Sequence, residues 1–125
     1  MGAQYEVYSV KPKTDGDGDV TAKTGAITGR LIAAAYIKTD YADGSTFTIT
    51  GEDTTQNLWT ESDVDASAQR YPREATHSNV GVASLYAAAG EPVEAPPALF
   101  NEKIKVVISN GGDTKTGEFR FLVEI

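Results

Sequence analysis

The chain has 125 residues, no cysteine and a formal net charge of −7. That length suits one domain with its own core, and the lack of cysteine excludes a disulfide framework, a thiolate metal site and a cysteine nucleophile. A pI near 4.6 removes the basic patch that nucleic acid or an anionic membrane surface would need. The first residues carry neither a signal-peptide pattern nor a myristoylation signal, and no apolar run approaches the roughly 20 residues of a membrane span. The expectation is a soluble product of cytoplasmic synthesis.

Tyr5 to Val10 alternates as a first strand, covered on both sides or placed at a subunit contact, and Pro12 ends it. Thr14 to Asp19 is an acidic, glycine-bearing turn before a short strand at Val20 to Lys23. Gly29 to Ile37 is the most apolar run. Alanine favours helices, yet the run lacks an N-cap and a C-terminal glycine and is about strand length, so it is read as a strand whose alanines allow close approach of another layer or chain. Thr46 to Thr50 alternates with Phe47 and Ile49 inward. Leu58 to Glu61 is a further short strand, flanked by polar connections at 51–56 and 62–67.

Tyr71-Pro72 marks an extended or edge segment. Val80 to Ala89 fits either a short helix or a loop containing a strand, and Gly90 to Pro97 is an extended, proline-rich connection to Ala98-Leu99-Phe100. The C-terminus reads as a hairpin. Ile104, Val106 and Ile108 share one face, as do Phe119, Phe121, Val123 and Ile125, and Asn110-Gly111-Gly112-Asp113 supplies the turn, with Ile104 expected opposite Phe119 and Lys105 opposite Glu118. The sum is one all-β domain over 1–125, an antiparallel β-sandwich or jelly roll of about seven to eight short strands. Residues 1–28 form its N-terminal strand and acidic loop, arm-like in one reading.

Asp15, Asp17 and Asp19 invite a calcium site, but an EF-hand loop begun at Asp15 would put valine at its glycine position and alanine at its final glutamate. A solvated acidic loop is the favoured reading. His77 is the sole histidine and the only candidate base for a Ser-His-Asp arrangement; no nucleophile elbow accompanies it, and a structural or interface role is preferred. The carboxylate pairs Glu52 with Asp53 and Glu61 with Asp63 are adequately explained as solvated turns. Trp59, Tyr36, Tyr41, Tyr71 and Tyr86 could build an aromatic platform for sugar or protein, with core packing favoured for Trp59. Arg70 and Arg73 around Tyr71 suit a protein interface and a solvated surface about equally. No catalytic, cofactor-binding or metal-binding residue is assigned.

From Gly29 onward the chain resembles small virion proteins of tailed bacteriophages. The likeness runs through Gly29-Arg30-Leu31, Gly44 to Glu52, Trp59-Thr60-Glu61, Arg70 to His77, Leu85 to Gly90 and Asn101 to Val107. The resemblance implies a capsid cement or decoration protein on the outer surface of the virion, without enzymatic activity or cofactor, bound to the major capsid protein and forming a dimer or trimer. Its expected contacts are Tyr5, Val7, Arg70, Tyr71, Arg73, Pro96, Pro97 and Phe100. A tail-associated carbohydrate- or receptor-binding β-sandwich is the alternative.

Overall fold

The apolar alternations become nine strands and no helix in the computed structural model, which describes residues 4–125. They are β1 (Tyr5–Val10), β2 (Val20–Ile37), β3 (Ser45–Gly51), β4 (Asn57–Val64), β5 (Ala68–Arg70), β6 (Glu74–Ala75), β7 (Glu94–Ala95), β8 (Ala98–Ser109) and β9 (Glu118–Glu124). Seven form one antiparallel sheet in the order β1-β9-β2-β8-β3-β4, with β5 also on β2, while β6 and β7 make a separate ribbon.

The two segments expected between Val20 and Ile37 are one strand of 18 residues. Bulges at 23–26, 27–28 and 31–33 keep its apolar side chains aligned with the core as it bends. Thr24 Oγ1 accepts the Ile104 amide at 3.0 Å across the first of these. Gly29 lies where β2 passes from β8 to β9: Arg30 pairs with both Ala98 and Glu124. At φ 147 a Cβ on Gly29 would stand 2.3 Å from the Glu124 carbonyl oxygen, so only glycine lets β9 come this close. The bulge at Ile32 explains why 29–37 reads as unbroken apolar sequence while Leu31, Ala34 and Tyr36 alone are buried.

The C-terminal hairpin is a correction. β8 and β9 lie on opposite sides of β2 and do not pair with each other; Lys105 stands opposite Lys23 and Thr50, and Phe119 opposite Tyr36 and Val10. Burial decides which side chains face inward, and two strands flanking a third satisfy it as well as a hairpin does. Ile104, Val106, Ile108, Phe119, Phe121 and Val123 are accordingly all buried, but Ile125 at the strand end is exposed. The 110–117 loop arches between the two strands and is fastened elsewhere. Gly111 donates to Gly18 O and accepts from Ala42 N, both at 2.9 Å, while Thr14 Oγ1 donates to Gly112 O at 2.6 Å and accepts from Lys115 N at 2.8 Å. Gly117 ends the arch beneath the Tyr41 ring, 2.2 Å from where a Cβ would sit.

Phe47 on β3 and Phe119 on β9 are far apart in strand order, yet their rings meet at 5.1 Å. The sheet is therefore curled, with its wings facing one another across Tyr36, Phe47, Trp59 and Phe119. Glu102 is the one buried acid among the described residues, 1% exposed. It faces inward because Asn101, at φ 51, is the extra residue of the bulge that leaves Phe100 outside. Its carboxylate accepts the amides of Asp53, Thr54 and Phe100 and the Thr54 hydroxyl, closing the β3–β4 turn. Burial would push its pKa up, but these donors outweigh that and hold it below the usual carboxylate range.

Candidate protein interface

The outer face of the β1-β9-β2 wing carries one apolar band. Register places Val7, Leu122 and Ala33 in one rung and Ser9, Arg120, Ala35 and Gln69 in the next. With Ile37 these side chains, Ser9 excepted, line an open groove of about 600 Å³. The small alanines of β2 make it concave, which fits the close approach expected of that run. Tyr5 stands a rung beyond, in line with Glu124 and Arg30, and Phe100 is exposed on β8 opposite Thr28.

Between β5 and β8 the chain leaves the sheet for an excursion spanning 71–97. Its backbone is ordered: Thr76 N donates to Val93 O at 2.8 Å, Ser84 N to Thr76 O at 2.9 Å, and Val93 N to Ser84 O at 2.9 Å. Isolated bridges His77–Ala83 and Leu85–Pro92 extend the β6–β7 ribbon, so 80–89 is neither a helix nor a full strand. This arm has no core of its own. Tyr71, Val80, Val82, Leu85 and Tyr86 are all exposed, Val80 by 79% and Tyr86 by 76%. From Asn79 to Gly90 the sequence contains no charged residue.

The structure separates the expected contact residues by role. Tyr5, Val7, Tyr71 and Phe100 present apolar surface to solvent. Arg70 is committed within the chain: it forms a two-point ion pair with Glu61 and lies 5.9 Å from the Trp59 ring centre, tying β5 to β4. Burial opposes ionisation of Glu61, but Arg70 and the Trp59 indole, which donates at 2.8 Å, hold its pKa below the ordinary range. Arg73 is exposed at the arm's base, where its guanidinium donates to the carbonyls of Pro72 and Ile32. Pro96 is half-buried, whereas Pro97 is buried and its carbonyl accepts Leu31 N at 3.0 Å, prolonging the β2–β8 ladder.

The other candidates scatter. Asp15 Oδ1 accepts the amides of Asp17 and Asp19, which uses that carboxylate to shape its own loop, and no group of three metal-ligating side chains gathers among the described residues. His77 is exposed with Nδ1 against Ser78 O. Glu52 pairs with Lys23. The tyrosines divide, Tyr36 and Tyr41 joining Trp59 in the core while Tyr71 and Tyr86 stay outside, so they form no single platform. Sequence reading missed the apolar tip at Val80 and Val82; its signal was two β-branched residues on either side of Gly81 without a charge nearby. No protein-family model matches this chain, and none of the curated proteins matches it significantly in sequence.

Proposed function

We propose that this is a structural virion protein of a tailed bacteriophage, decorating or cementing the outer capsid by binding the major capsid protein at seams between its subunits. The observation that carries the reading is the uncharged arm tip, with Val80, Val82, Leu85 and Tyr86 exposed on a hydrogen-bonded excursion from the sheet. Apolar surface displayed in this way marks an interaction site, and a hydrogen-bonded backbone limits the entropy lost when it docks. The sequence resemblance from Gly29 onward supplies the phage context. An acidic exterior suits the outside of a DNA-filled shell better than the inside. In this reading the curled sheet is a β-sandwich of jelly-roll type, its layers the β1-β9-β2 and β8-β3-β4 wings, and the protein is made in the bacterial host cytoplasm before joining the virion.

The test is to add purified protein to capsids that lack it and measure occupancy by cryo-electron microscopy. Wild-type protein is expected to fill discrete seams, Val82→Asp with Tyr86→Ser to abolish binding, and Arg73→Glu to weaken it. Unchanged occupancy with the tip variant counts against the arm as the docking element. Exposed Tyr71 and Tyr86 would also serve a carbohydrate-binding tail module; retention on a glycan array with no binding to capsids would replace the capsid reading with that one.

A further inference from the structure

The strands at the two ends of the main sheet path differ in how their edges are protected. β4 pairs with β3 through two register shifts, Asp63 sits at φ 55, and Arg70 folds over Trp59 and Glu61 beside it. These are devices that stop a sheet edge from recruiting another strand. β1 has none of them. It runs Tyr5 to Val10 against β9 in unbroken register, contains no proline or lysine, and has no other strand partner among the described residues. Ile125 N donates to Gln4 O at 2.9 Å. By antiparallel alternation Glu6, Tyr8 and Val10 then turn their backbone groups toward β9, while Tyr5, Val7 and Ser9 turn theirs to the open edge.

We propose that β1 pairs antiparallel with β1 of a second copy of this chain, about a two-fold axis through Val7. In that register Val7 meets its own counterpart, bulky Tyr5 lies opposite the partner's small Ser9, and Glu6 lies opposite the partner's Tyr8, whose hydroxyl already bonds Glu6 within one chain at 2.7 Å. Moving the axis to Glu6 would set two carboxylates face to face, which is destabilising. Moving it to Tyr8 would carry Tyr5 past the end of the partner's strand onto Lys11. Two copies of a chain of net charge −7 repel each other, and the row Tyr5, Val7, Ser9, which is uncharged, adds nothing to that repulsion. The same axis joins the two Val7–Leu122–Ala33 rungs end to end, so the apolar band continues from one copy into the other. This pairing does not depend on what the arm engages.

Sedimentation of the full chain across a concentration series tests the pairing, with Val7→Pro as the probe. The Val7 N–H faces the open edge, so proline removes a donor between copies and none to β9. The wild-type chain is expected to dimerise. Val7→Pro, folded as judged by far-UV circular dichroism, should raise the dissociation constant roughly tenfold or more through the bonds lost at the axis. In a chain without cysteine, Val7→Cys should form a disulfide-linked dimer under mild oxidation, and Thr60→Cys on β4 should not. A chain that stays monomeric throughout the series, a dimer indifferent to Val7→Pro, or cross-linking through Thr60→Cys in place of Val7→Cys would each overturn the proposal.

Discussion

The curled sheet and the arm at 71–97 are built by opposite rules. In the sheet every strand of more than three residues sends side chains into one core, and even an acid, Glu102, is buried once four groups donate to it. In the arm the backbone bonds are made while large apolar side chains point to solvent. The sheet's side chains therefore stabilise the chain itself, and those of the arm are the ones proposed to engage a partner. A substitution should cost folding in one region and binding in the other.

The sharpest test of that division is Phe119→Ala. It empties the centre of the aromatic cluster and should cost about 3–5 kcal/mol in denaturant unfolding. A loss below about 1 kcal/mol would mean that the two wings are not held by this contact. Next is Glu102→Gln, which keeps the shape but weakens the charge-assisted bonds to the Thr54, Phe100 and Asp53 amides; about 1–3 kcal/mol is expected. Because the folded-state pKa of Glu102 is depressed, its contribution is complete above the unfolded value of about 4.3 and disappears as pH falls through the folded value. Wild-type stability should accordingly drop on acidification below about pH 4 more steeply than that of Glu102→Gln, read from unfolding midpoints across pH.

Smaller effects belong to the seam between the regions. A double-mutant cycle on Glu61 and Arg70 should return a coupling of about 0.2–1 kcal/mol, since the Arg70 side chain is about half exposed to solvent. At the bottom of the scale, Val82→Asp with Tyr86→Ser should alter unfolding by no more than about 0.5 kcal/mol while removing the surface proposed to dock. Hydrogen exchange draws the same boundary without mutation: amides of Thr76, Ser84 and Val93 should exchange well before those of Ile104 and Phe121.

The strand inventory was largely readable because period-two alternation reports burial directly, as at Phe47 and Ile49 or Phe119 to Val123. Pairing was not. The partner of a strand is set by contacts distant in sequence, and the Asn110-Gly111-Gly112-Asp113 signal, sound for a turn, becomes an arch once Thr14 and Ala42 capture its backbone. Bulges hid the unity of β2, since each adds a residue that breaks the alternation a sequence reader counts. At the candidate interface, Tyr5, Val7, Tyr71 and Phe100 stood out as apolar residues in edge-like or extended segments and are exposed, whereas Arg70 resembled a surface anchor until Glu61, nine positions earlier in the chain, was placed beside it. Pro97 was legible as extended chain, but nothing local announced that its carbonyl would join the β2–β8 ladder.

β2 joins the two wings, pairing with β9 on one side and β8 on the other, and its 18 residues amount to roughly 60 Å of extended backbone. The groove wall at Ala33 and Ala35, the root of the arm beside Ile32 and the full length of the β8 pairing all hang on this one strand. A load applied through the arm or through β1 would pull along its ladders, in shear, where many backbone bonds must fail together. Peeling a single bond at a time is open only to the outermost strands. Resistance to load is thus concentrated along β2, and the arm tip, without a core of its own, contributes little to it.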